Sequence, residues 1–127
     1  MLDHVGFTVS DYGRSKAFYE KALAPLGLTI LLEPQGQAAG FGEDGKRFFW
    51  IEAQGRPVKG RLHVAFPARD RKTVDAFHAA ALEAGGSDNG APGVREIYHP
   101  TYYGAYVLDP DGNNVEAVYH GLMQPDR

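Results

Sequence analysis

Apolar and polar positions alternate cleanly at the start of the chain. Val5, Phe7 and Val9 fall on one face of a strand expected from Asp3 to Val9, and His4, Gly6 and Thr8 fall on the other. The spacing then changes to that of a helix. Ala17, Phe18, Ala22, Leu23 and Leu26 form one stripe over 14–26, with Ser10 or Asp11 placed to cap it and Pro25 and Gly27 to end it. A second strand is predicted from Thr29 to Glu33. A hairpin follows, Gln37 to Phe41 and Arg47 to Ala53, turning at Glu43-Asp44-Gly45.

The same order then returns. Residues 61–86 repeat residues 2–27 at a constant offset of 59, so that His4 falls on His63, Phe7 on Phe66, Asp11 on Asp70, Phe18 on Phe77 and Gly27 on Gly86. A period this long is not a solenoid unit. It is a duplicated supersecondary unit, whose two copies must pack together. The second copy opens with a strand over 62–67 and a helix over 71–84 capped by Asp70. A loop, SDNGAPGVRE, leads to Tyr98-His99-Pro100. Strands Tyr103 to Leu108 and Asn114 to His120 flank the turn Asp109-Pro110-Asp111-Gly112, and MQPDR is expected to be a loose tail. The whole reads as one α+β domain of two βαβββ modules, the first about 1–55, the second about 61–120, joined by a linker at about 54–60.

Composition narrows the chemistry. The chain has 127 residues, enough for one domain with a real core. A net charge of -3 and no basic run argue against nucleic acid as partner. With no cysteine there is no disulfide, thiolate site or cysteine nucleophile. No apolar run is long enough to cross a bilayer, and no leader is evident, so the expected location is the cytoplasm.

Each first strand carries its histidine among small neighbours, Gly6 and Thr8 beside His4 and Ala65 beside His63, on the face opposite the helices. Two such faces turned inward would form a cup. Glu116 lies in the middle of the apolar last strand, where a carboxylate is costly unless paired or bound to a cation. His4, His63 and Glu116 together make a two-histidine, one-carboxylate set suited to a divalent transition metal (zinc, iron, nickel, manganese or cobalt) with coordination sites left open. If no metal binds, Glu116 is expected to meet Arg95 or a tyrosine.

The opening DHVGFTV, the helix SKAFYEKALAPLG, the second opening LHVAF and the closing VLDPDGNNVEAV resemble the vicinal oxygen chelate superfamily, which includes glyoxalase I, bleomycin and fosfomycin resistance proteins and extradiol dioxygenases. The resemblance implies two βαβββ modules forming a half-barrel cup, metal ligands on the first and last strands of each module, a small-molecule substrate and a homodimer. It places His4, His63 and Glu116 on three of four ligand positions. Aligning Asp44-Gly45 with Asp111-Gly112 puts Phe49 opposite Glu116, so Glu52 becomes the fourth ligand only if a bulge or a longer hairpin turn brings it onto that face. The expected activity is that of a small metal-dependent glyoxalase-like lyase or isomerase, or a dioxygenase. In it the metal holds two oxygens of a small substrate. Glu116, His99 and Tyr103 are the candidate catalytic groups, and Trp50, Phe49, Tyr98, Tyr103 and Arg95 the candidate substrate contacts. The alternative is a metal-free binding protein of the bleomycin resistance type.

Overall fold

The computed structural model describes residues 1–121, and the MQPDR tail lies outside them. Its elements are β1 (Val5–Thr8), α1 (Tyr12–Leu23), β2 (Thr29–Leu32), β3 (Ala38–Glu43), β4 (Lys46–Glu52), β5 (His63–Pro67), α2 (Arg71–Glu83), β6 (Ser87–Val94), β7 (Tyr103–Leu108) and β8 (Asn114–Tyr119). They form two four-stranded sheets of the same topology, β1-β4-β3-β2 and β5-β8-β7-β6. In each, the first strand runs parallel to the last and the others are antiparallel. The fold is therefore α+β with two βαβββ modules. Among the described residues no helix is long and apolar enough to span a bilayer.

Both helices start where a carboxylate can take a free backbone N–H. Asp11 accepts from Arg14 N at 3.2 Å and Asp70 from Thr73 N at 2.7 Å. α1 starts two residues earlier than the apolar stripe suggests and passes into a 3₁₀ turn, Ala24–Leu26, which Gly27 closes at φ 84°. The buried face is also rotated from expectation. Ala17 is exposed, while Ser15 and Tyr19 are buried. Tyr19 is accommodated because its hydroxyl donates to Asp109 Oδ2 at 2.5 Å, across to the turn between β7 and β8.

SDNGAPGVRE is not a loop: Ser87–Val94 is the edge strand β6, paired to β7 with two register shifts. Gly90, Gly93 and Pro92 remove the alternation by which a strand is recognised, and proline is tolerated at a sheet edge.

The core joins both modules. Phe49 is fully buried among the rings of Phe7, Tyr19, Phe41 and Phe66, with centroids 5.7, 5.0, 6.0 and 5.1 Å away. Phe66 comes from β5, so this cluster crosses from one sheet to the other. Polar ties follow the same path. Ser10 N donates to Asp111 Oδ2 at 3.0 Å and its hydroxyl to Asp111 Oδ1. Asn113, fully buried, accepts from Arg61 N and Leu62 N at 3.1 and 3.2 Å and donates to Val58 O at 2.9 Å. The turn Asp109–Asn113 thus fastens α1 and the linker to the second module.

Candidate functional site

His4, Trp50, Glu52, His63 and Glu116 lie on the faces of the two sheets turned away from the helices. In the second module, β5 and β8 pair Ala65 with Glu116, so His63, two residues back along β5, shares Glu116's face. His63 Nε2 lies 2.8 Å from Glu116 Oε1, and the Tyr102 hydroxyl donates to Oε2. Both oxygens of the carboxylate are engaged, which is what allows a side chain only 1% exposed to remain there. Room for it comes partly from Gly104, where a Cβ would sit 3.4 Å from Glu116 Oε2. Burial, then Glu116's hydrogen bond and charge, pushes the Tyr102 phenol far above its usual range. Burial, followed by the charge of Glu116, also raises Tyr106. Both phenols therefore stay protonated, as donors, through neutral pH.

The first module is built the same way but not with the same residues. β1 pairs Gly6 with Trp50 and Thr8 with Glu52. Gly6 is the counterpart of Ala65, so Trp50, and not Phe49, stands opposite Glu116. The cause is a bulge. β3 and β4 pair Phe41 with Phe49 but Gly42 with Arg47, leaving Phe48 unmatched. One extra residue reverses the parity counted from the hairpin turn. Phe49 turns into the core and is not a substrate contact, while Trp50 and Glu52 turn onto the face of His4.

His4, Gly6, Arg47, Trp50 and Glu52 line one recess with Asp3. Glu52 leans back along the strand: a Cβ on Gly6 would be 3.6 Å from its Oε2. His4 Nδ1 contacts Asp3 Oδ1 at 2.8 Å. The indole of Trp50 lies across Gly40, where a Cβ would come within 2.7 Å of the ring. Gly40→Ala should therefore lift the indole. Trp50 is the chain's single tryptophan, so its emission maximum should shift while the far-ultraviolet circular dichroism is kept. An unchanged emission would show that the ring does not rest there.

His4 and Glu52 share a recess in the first module, and His63 and Glu116 are paired in the second. Among the described residues, one chain gathers no group of three or more histidine or carboxylate side chains able to hold a metal.

Two expected catalytic groups are placed elsewhere. Tyr103 lies on the helix side of β7, its hydroxyl donating to Asp75 of α2 at 2.7 Å and its ring lying under Arg71. It is three residues, an odd step, from Tyr106, which pairs with Glu116 on the other face. His99 Nε2 is 2.9 Å from His120 Nδ1, with the two rings stacked and Tyr102 edge-on to both. His99 reaches Glu116 only through Tyr102. In the sequence Tyr102 is one more member of the aromatic run Tyr98, His99, Tyr102, Tyr103 and Tyr106. Tyr98 packs against Tyr102 with ring centroids 4.8 Å apart, and it borders a second recess with Arg95, Asn89, Tyr106 and Asn114.

The profile of the Glyoxalase/Bleomycin resistance protein/Dioxygenase superfamily matches residues 1–117. No curated protein sequence matches significantly. Among solved structures, a glyoxalase/bleomycin resistance protein from Albidiferax ferrireducens T118 is 30% identical, with 93% of this chain and 97% of that one covered and a TM-score of 0.78. A possible glyoxalase from Bacillus cereus (24% identity, 93% and 97% covered, TM-score 0.66) and a lactoylglutathione lyase from Agrobacterium tumefaciens (20%, 94% and 92%, 0.66) share the fold.

Proposed function

The chain belongs to the Glyoxalase/Bleomycin resistance protein/Dioxygenase superfamily, and from that membership we propose that it is a small metal-dependent enzyme acting on an oxygenated small molecule. The observation that carries this reading is Glu116, a carboxylate 1% exposed in an apolar strand and 2.8 Å from a histidine on an open face. The donor set fits a divalent transition metal: His63 and Glu116 from one half-site, His4 and Glu52 from the other. Bound there, the metal would act as a Lewis acid toward two oxygens of the substrate, as a lyase, isomerase or dioxygenase of this kind requires.

The protein groups have separate tasks. Glu116 is the proton acceptor nearest the substrate face. Tyr102 keeps its proton and holds Glu116 Oε2 in place, and the His99–His120 pair backs Tyr102. Trp50 and Tyr98 are walls. The ligand pairs occupy separate half-sites, so we assign the complete site to a homodimer in which each chain contributes one half-site to the other.

The test uses untagged protein. Metal content by elemental analysis should approach one ion per chain, either as purified or after reconstitution with iron, zinc, nickel, cobalt or manganese. His4→Ala and Glu116→Ala proteins should each bind little metal. Mixed under conditions that exchange subunits, they should regain about half the sites of one hybrid dimer. No recovery would place all the ligands in one chain, and no metal in the parent would overturn the enzyme reading. The second reading, a metal-free binding protein, is favoured by one feature: both oxygens of Glu116 already have protein partners.

A further inference from the structure

We propose that Arg95 is an anion anchor, and that the substrate class is an oxygenated planar molecule carrying a carboxylate. The proposal rests on the site assigned above only for where the reacting oxygens lie.

The guanidinium is seated by the sequence of β6. Nη2 donates to Ala91 O at 2.7 Å, and the group lies over the Tyr106 ring, 5.2 Å from its centroid. Two glycines make the seat. A Cβ on Gly90 would be 3.2 Å from Nη2, and one on Gly93 would be 3.0 Å from Nη1. Gly90 also has φ 153°, which side chains rarely adopt. The residues that hid this strand from sequence reading are those that make room for the cation.

Among the described residues that cation has no carboxylate partner. None of the ion pairs among the described residues includes Arg95, although the chain has 16 acidic residues against 13 basic ones. An arginine held by one carbonyl and one ring retains donors in a planar fork, the geometry that matches a carboxylate. Around it the recess supplies the Asn89 and Asn114 amides, joined by a 3.2 Å hydrogen bond. Ile97 and Tyr98, 86% and 61% exposed, add apolar surface at its rim.

The position relative to Glu116 fixes the size of the molecule. Gly90 pairs with Tyr106, and Tyr106 with Glu116. Two strand spacings, about 10 Å, therefore separate the seat of Arg95 from the main chain at Glu116. Tyr106 stands between the two on the same face, so a single planar ring laid along it would set its carboxylate on Arg95 and its vicinal oxygens toward His63 and Glu116.

The experiment compares 3,4-dihydroxybenzoate with its neutral isostere 3,4-dihydroxybenzamide by calorimetry and ligand-observed NMR, on EDTA-treated and on metal-reconstituted protein. The wild type should prefer the carboxylate by roughly tenfold or more in both forms. Arg95→Gln should erase the preference, and Arg95→Lys, which keeps the charge but not the fork, should retain part of it. Arg69→Gln, which removes an exposed arginine on another element, should leave it intact. Equal affinity for acid and amide, no detectable binding of the acid, or a preference that survives Arg95→Gln would overturn the proposal. If the preference is present but no metal binds, the anchor stands and the metal reading fails. Metal binding without the preference has the opposite meaning.

Discussion

Replacing Glu116 by alanine should lower affinity for a divalent metal by at least about 100-fold, since it removes a direct ligand and the loss of supporting groups alone costs 10- to 100-fold. The same substitution leaves the half-buried Tyr102 Oη–H without its acceptor and the exposed ring of His63 without its partner. Stability should therefore change as well, and the two effects must be separated. Glu116→Gln does this. Its amide oxygen can still accept from Tyr102 and its volume is unchanged, so folding should be largely kept while metal affinity falls nearly as far. Elemental analysis after dialysis, beside urea denaturation of all three proteins, gives the comparison. Full metal occupancy in a folded Glu116→Gln protein would remove Glu116 from the ligand set, and with it the mechanism proposed here.

Phe49→Ala should destabilise the protein by about 3–5 kcal/mol, the range for deleting a buried ring whose cavity cannot collapse. Phe49 has no exposed surface and touches four aromatic rings, one of them from the second module. Its neighbour Trp50 is the natural control. Trp50→Ala removes a larger side chain from the partly exposed opposite face and should cost clearly less. The contrast is read from midpoints and slopes of urea unfolding, followed by circular dichroism so that loss of the tryptophan does not remove the signal. Equal losses would contradict the observed parity of β4.

That parity marks the limit of what the sequence reveals. The duplication was legible because histidine, aspartate, phenylalanine and glycine recur in one register, and the helices because aspartate caps stand before apolar stripes. Glu116 was legible as a carboxylate in an apolar strand. Counting strand faces from the hairpin turn places Phe49 opposite Glu116 and turns Glu52 away, and one unmatched residue, Phe48, reverses everything beyond it. In a run of tyrosines only register distinguishes the open face, where Tyr106 pairs with Glu116, from the helix face, where Tyr103 meets Asp75. β6 was missed because glycine and proline carry no pattern. The pairing of His63 with Glu116 depends on the parallel register of β5 and β8, and the separation of that pair from His4 on how the two modules meet; no local period encodes either.

The turn between β7 and β8 also bears on how the protein is made. Tyr19 waits for a partner 90 positions later in the chain, and Ser10 for one 101 positions later. During synthesis the first half emerges with a buried phenol unsatisfied and the ring cluster of Phe49 uncovered on the side that Phe66 will occupy. Contacts so distant close late and slow the search for the native state. The newly made N-terminal half thus presents apolar rings until Phe66 follows and an unpaired phenol until Asp109 follows.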